Sequence, residues 1–312
     1  MGICPRKKHP RQGTVHTPIA SKRNFVRTLL FLVAGLAAAA AHGQSEAEST
    51  YSEVFYSSGN LRIQAYLYKP DGDGPFPVVI YNHGSRDGRE RASVPFQYVG
   101  KMLTRAGYVA LVPERRGYGK SDGSVWRQEV GNDPSRLIPR LQAETDDVLA
   151  ATDYLRTVRF ADARRIGIMG WSFGGIVTML AVSRSTAFLA AVDQAGGALS
   201  WGGNAHLRGV LAAAAEKATT PTLFMVARND RTTLSITTLA EIFEKRGVPH
   251  RVVIYEPFTP ALGTGVAAPG HAVFSAQGAS VWEGDVVQFL GRYLSASASD
   301  KEDGSAASKA QQ

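Results

Sequence analysis

Between Arg165 and Val182 the chain passes from a short apolar segment, Arg165-Ile166-Gly167-Ile168-Met169, through Gly170-Trp171-Ser172-Phe173-Gly174-Gly175, into Ile176-Val177-Thr178-Met179-Leu180-Ala181-Val182. The first segment reads as a buried strand and the last as the opening of a packed helix. A G-x-S-x-G between a strand and a helix is a turn so tight that its flanks must be small, and it lifts the serine hydroxyl clear of the sheet. The pattern calls for a layered α/β architecture around it and marks Ser172 as a candidate nucleophile. The Phe173 N–H then stands at a helix N-terminus, where a developing oxyanion can be stabilised.

With 32 glycines in 312 residues, the bare pattern arises easily by chance, so context decides. A second copy, Gly119-Lys120-Ser121-Asp122-Gly123, follows the polar Glu114-Arg115-Arg116 and leads into the loop-like Gly131-Asn132-Asp133-Pro134. It lacks both strand and helix, and Ser121 reads as a loop residue.

The first 43 residues carry seven basic side chains and no acid, then an apolar run from Thr28 to Ala41, then Ala41-His42-Gly43 before Gln44-Ser45-Glu46. That order is a secretory signal peptide with cleavage after Gly43. Its 14-residue apolar run is short of the ~20 residues that span a bilayer; an uncleaved anchor is the alternative. Gly2 is no myristoylation site, because Arg6 stands where Ser or Thr is needed. The expected location is secreted or periplasmic, with no stable membrane association once the leader is removed.

Removing the leader changes the charge argument. The whole chain has 35 basic and 27 acidic residues, formally +8; without the leader cations it has 28 against 27. The basicity belongs to the targeting segment, so a nucleic-acid partner has no support. The single cysteine, Cys4, also lies in the leader, which leaves no thiol nucleophile and no disulfide in the mature protein. Residues 44–294 form one domain of ordinary size. The small, polar stretch 295–312 reads as a disordered tail.

Strands are expected at 53–56, 61–68, 78–81, 108–112, 166–169, 189–192, 222–226 and 251–255, and helices near 94–106, 139–158, 174–185, 235–246 and 280–294. Strands alternating with helices predict a mostly parallel sheet of about eight strands with helices on both faces. The clearest helix is 139–158, with Leu141, Val148, Leu149, Thr152 and Leu155 as its apolar stripe.

A serine hydroxyl needs a base to take its proton, and an elbow serine is followed in chain order by an acid and then a histidine. Three histidines follow Ser172. His250 stands at the amino end of a strand, the wrong end for a site; His206 lies in a Gly/Asn-rich segment; His271 follows the last strand through a Gly/Pro loop. His271 is the preferred base, with His206 the alternative. Asp230, just past a strand's carboxyl end, is the preferred acid, with Asp193, one strand earlier, as its competitor. The second oxyanion donor is expected from Tyr81-Asn82-His83-Gly84-Ser85, where Gly84 lets the Ser85 N–H face that of Phe173. His83 is expected to be a buried, hydrogen-bonded side chain that shapes this turn. Trp201, Trp126 and Phe258 fall in loops on the same rim and are candidates to line an acyl or alcohol pocket.

Taken together, His83-Gly84, Glu114-Arg115-Arg116-Gly117-Tyr118-Gly119-Lys120-Ser121, the elbow, Asp230 and His271 resemble an α/β-hydrolase, of the dienelactone hydrolase-like and prolyl-oligopeptidase-like branch. The resemblance covers about residues 50–294. Dienelactone hydrolases proper carry cysteine where this chain has Ser172, which argues against a dienelactone substrate. The large propeller of prolyl oligopeptidases is missing from the sequence, which argues against a size-gated peptidase. Gly117-Tyr118-Gly119 begins like a dinucleotide fingerprint, but Asp122 takes the third glycine's place; there is no H-E-x-x-H, and neither a metal nor a cofactor is expected. The resulting expectation is an exported serine hydrolase that cleaves a small-molecule carboxylic ester through an acyl-enzyme. The alternatives are a small peptidase or amidase and an inactive, ligand-binding relative.

Overall fold

The computed structural model describes residues 51–263 and 268–295. The expected leader, and the tail beyond Ser295, lie outside the described residues. Eight strands are present: β1 (Ser52–Ser58), β2 (Leu61–Tyr68), β3 (Phe76–Asn82), β4 (Val109–Glu114), β5 (Ala161–Trp171), β6 (Phe188–Gln194), β7 (Thr222–Ala227) and β8 (His250–Tyr255). They form one sheet in the order β1-β2-β4-β3-β5-β6-β7-β8. β1, β2 and β4 pair antiparallel, and from β4 through β3 to β8 every pairing is parallel. All eight expected strands occur where the apolar runs stand.

Seven helices are described: α1 (Gln97–Arg105), α2 (Trp126–Glu129), α3 (Leu137–Leu155), α4 (Phe173–Arg184), α5 (Ala205–Ala215), α6 (Leu234–Arg246) and α7 (Ala279–Leu294). Of these, α3, α4, α5 and α6 pack one against the next, while α1 packs against α7, giving a helix layer on each face. The central strands β4 and β7 are buried along their whole length, as two-sided cover requires.

Three helices depart from the expectation, the first being α2, a single turn that holds Trp126 where a loop is expected. α5 was not expected; its alanine-rich sequence has no strong apolar stripe, and it is started by Asn204, whose side chain accepts the Leu207 N–H at 2.9 Å. α3 was expected, but its buried face includes Arg140, Glu144 and Asp147 beside Leu141, Val148, Ala151 and Leu155, while Leu149 is only half-buried.

After β3 the chain crosses to β4 on one side of it, then returns to β5 on the other. The carboxyl ends of β3 and β5 therefore flank the point where the winding reverses, the place where open α/β sheets leave a crevice. The elbow after β5 and the loop after β3 both open there.

Candidate active site

Ser172 connects β5 to α4 with φ 59° and ψ −115°, a backbone conformation that a non-glycine residue holds only when its surroundings enforce it. The surroundings are tight. The Ser172 N–H donates to the Gln194 carbonyl at 2.8 Å. A Cβ on Gly174 would lie 1.9 Å from the Asn82 oxygen, and one on Gly170 would lie 2.2 Å from the Gly174 oxygen. The small residues of the motif are thus dictated by helix–strand contact.

His271 lies on a 3-10 turn, Pro269–Phe274, and is almost fully buried. Its Nδ1 stands 2.7 Å from Oδ2 of Asp230, which follows β7. Its Nε2 is buried and has no hydrogen-bond partner in the protein. Trp171, immediately before Ser172, reaches this turn: its Nε1–H donates to the His271 carbonyl at 3.1 Å, and the two rings lie 5.6 Å apart. The structure therefore brings the elbow, His271 and Asp230 together, each at the carboxyl end of the sheet.

Asp193 points elsewhere. Its carboxylate is turned under the elbow, where Oδ1 accepts the Gly196 N–H at 2.7 Å and Oδ2 has no partner. Burial pushes this carboxyl up to about 7. His206 is exposed on α5, and His250 opens β8 with Nδ1 2.9 Å from the Val248 carbonyl. Neither approaches Asp230. Ser121 is buried as part of the turn after β4: its hydroxyl donates to the Glu114 carbonyl and accepts the Gln64 N–H.

On the other side of the elbow, Gly84 packs so closely that a Cβ there would lie 3.4 Å from that of Ser172. This sets exposed Ser85 beside the elbow. Among the described residues, the amides of Ser85 and Phe173 donate to no other group. His83 is fully buried, stacked parallel to Phe96 and edge-on to Tyr118, with Nδ1 bonded to the Gly84 carbonyl at 2.7 Å. Burial, with Arg115 and Arg86 nearby, holds its pKa well below the usual histidine value, so the ring is neutral.

The three candidate pocket aromatics have different neighbours. Trp126 packs edge-on against Phe173 at 4.7 Å. Trp201 is buried at the wall of a cavity of about 380 Å³, shared with Leu199, Arg231 and Leu234; neither Trp126 nor Phe258 belongs to that wall. Phe258 is held by its backbone, which exchanges two 2.9 Å hydrogen bonds with the Asn229 side chain. Among the described residues, no group of three or more His, Cys, Asp or Glu side chains is arranged to hold a metal ion.

The profile of the prolyl oligopeptidase family matches residues 95–201, which run from α1 through the elbow to Trp201. Solved structures share the layered sheet. An acylaminoacyl peptidase of Pyrococcus horikoshii superposes with a TM-score of 0.58 at 18% identity, over 78% of this chain and 41% of that one. The dienelactone hydrolase of Anabaena variabilis superposes with a TM-score of 0.56 at 20% identity, over 79% of this chain and 100% of the other.

The chain has the α/β-hydrolase fold.

Among curated relatives, the chain is 26% identical over 142 residues to the quorum-quenching protein AidA of Acinetobacter baumannii, a match covering 46% of this chain and 42% of that one. The chain spans less than half the length of the first curated relatives it matches. In an α/β-hydrolase the first donor of the oxyanion hole follows the nucleophile and the second comes from the loop after β3. Phe173 follows Ser172, and Ser85 lies in the loop after β3, which keeps both as candidate donors.

Proposed function

We propose that the protein is a serine hydrolase that cleaves a carboxylic ester through an acyl-enzyme. The observation that carries the reading is the paired His271 and Asp230, with the histidine's Nε2 left free next to the strained Ser172 turn. In this scheme Ser172 Oγ attacks the ester carbonyl while His271 Nε2 takes its proton. Asp230 fixes the tautomer with the proton on Nδ1 and stabilises the imidazolium that forms. The charge developing on the carbonyl oxygen is met by the Phe173 and Ser85 N–H groups. Collapse expels the alcohol, protonated by His271, and leaves the acyl group on Ser172. A water molecule, deprotonated by the same nitrogen, then releases the acid and restores the hydroxyl.

A small peptidase or amidase is the second reading, favoured by the prolyl oligopeptidase match over residues 95–201. Paired substrates separate the two: p-nitrophenyl esters of graded acyl length against the corresponding p-nitroanilides. The ester reading expects kcat/KM for the esters to exceed that for the anilides well beyond their intrinsic reactivity ratio. The reverse ranking moves the protein to the peptidases. An inactive ligand-binding relative would hydrolyse neither.

The reading includes export, on the strength of the basic, then apolar leader and the small residues Ala41 and Gly43. N-terminal sequencing of exported protein is expected to begin at Gln44. A membrane-bound chain beginning at Met1 would indicate an anchor instead.

A further inference from the structure

Beneath the loops after β3 and β4 lies a set of charges, most of them buried, that the proposed chemistry does not use. Four arginines, Arg86, Arg115, Arg116 and Arg140, are matched by Glu114, Glu144, Asp147 and Glu129. Taking such groups out of water is costly before any return from pairing, so the set is poorly explained as a source of stability alone. Its geometry suggests a different use.

Arg115 is fully buried. Its Nε donates to Glu144 Oε2 at 2.7 Å, and Glu144 takes Arg140 Nε on its other oxygen at 2.8 Å. With the fork held on that side, Nη2 donates to the His83 carbonyl at 2.9 Å. The same guanidinium lies 5.8 Å from the centre of the Phe173 ring. Arg115 thus sits against both residues that precede or carry the candidate oxyanion donors: His83, two before Ser85, and Phe173 itself. Its neighbour Glu114 holds the rest of the loop, accepting two hydrogen bonds from Arg86 and the Val94 N–H at 2.9 Å. Consecutive residues at the end of β4 therefore clamp the start and the far end of the loop after β3. The clamp carries no ionisation switch at His83, whose ring stays neutral.

We propose that Arg115 is a positioning residue of the oxyanion hole, which acts through the His83 carbonyl to aim the Ser85 N–H at the developing oxyanion. This rests on the serine hydrolase reading above. A planar, rigid fork suits the task better than a flexible ammonium, because one side is fixed by Glu144 while the other sets a carbonyl. A donor moved by a fraction of an ångström weakens the transition state while ground-state binding is kept.

The test compares wild type with Arg115→Lys, with active sites counted by fluorophosphonate titration. Per titrated site, kcat for p-nitrophenyl butyrate is expected to fall about 10- to 100-fold, short of or equal to the loss of a whole oxyanion donor. KM should stay within about twofold, and affinity for a trifluoromethyl ketone, which forms a tetrahedral oxyanion, should fall in step with kcat. Unchanged kcat per site and unchanged ketone affinity, with only a lower Tm, would overturn the proposal by making Arg115 a purely structural residue. Should the lysine variant not fold, Glu144→Gln releases the same fork; kcat per site is expected to fall about five- to tenfold with a matching loss of ketone affinity. An unchanged kcat in that variant overturns the proposal equally. A wild-type protein that neither reacts with fluorophosphonate nor hydrolyses the ester refutes the hydrolase reading itself, an outcome distinct from either variant result.

Discussion

The indole Nε1–H of Trp171 donates to the backbone carbonyl of His271 across 100 residues of sequence, at 3.1 Å. Trp171 is the first of the two variable residues of the G-x-S-x-G motif, a position that carries no chemistry of its own. Here it ties the turn bearing the candidate base to the turn bearing the candidate nucleophile. Trp171→Phe keeps the ring contact and removes the hydrogen bond, whose net worth is about 1 kcal/mol. The expected result is a kcat lower by about fivefold with KM little changed. A change confined to KM would mean that Trp171 serves substrate binding and not the placing of His271.

The acid can be tested against its rival. Asp230→Asn leaves the imidazole without its orienting carboxylate, and kcat is expected to fall by roughly 10⁴. Asp193→Asn should cost far less, because that carboxylate bonds to Gly196 N–H. Steady-state kinetics on the two purified variants ranks them; the opposite ranking would transfer the role to Asp193.

Asp193 has its own signature, in stability. Burial raises its folded-state pKa to about 7, whereas in the unfolded chain it titrates near the ordinary carboxyl value of about 3.9. With the folded value the higher one, the native state binds the extra proton, so stability is full below about pH 4 and is lost as pH rises to about 7. Asp193→Asn abolishes that loss. Thermal melts should show the variant gaining several degrees on wild type between pH 5 and pH 8. Parallel pH curves for the two proteins would show that Asp193 titrates normally.

Much of this molecule is legible in its amino-acid sequence. Strong apolar runs located all eight strands, because two-sided burial leaves little else that such runs can be. The elbow was legible because contacts as close as 1.9 Å for a Cβ on Gly174 restrict the residue type locally. What stayed hidden depends on distant partners. Arg140, Glu144 and Asp147 look like the solvated face of α3, yet they are buried against Arg115 and Arg116, residues more than 20 positions away. Nothing in local periodicity distinguishes a buried, paired charge from an exposed one. Likewise α5 was missed because alanine supplies helix propensity without an apolar stripe. The aromatic rim differs: the three rings can be picked out in the sequence, but the neighbours each one packs against cannot.

Those different neighbours sharpen the specificity test. Trp126 touches Phe173, an oxyanion-hole candidate, whereas Trp201 lines a cavity with Leu199 and Leu234. One methylene of substrate in an apolar pocket is worth about 1–3 kcal/mol of discrimination, so a changed pocket wall shows across an acyl series. Trp201→Ala is expected to change kcat/KM unequally across acetyl, butyryl and octanoyl p-nitrophenyl esters. Trp126→Ala should lower kcat for all of them through Phe173. A uniform loss for Trp201→Ala, or a lowered Tm alone, would identify Trp201 as a packing residue.

The central claim is that Ser172 is the nucleophile, and covalent labelling of intact protein tests it most directly. Wild type treated with a fluorophosphonate should gain one adduct by mass spectrometry, mapped to the peptide containing Ser172, and lose its esterase activity in proportion. Ser172→Ala should fold, take up no label and lose several orders of magnitude in kcat, on the order of 10⁴ to 10⁶. If Ser172→Ala keeps most of the activity, or if the adduct maps to Ser121, the elbow is not the site of chemistry and the account is wrong.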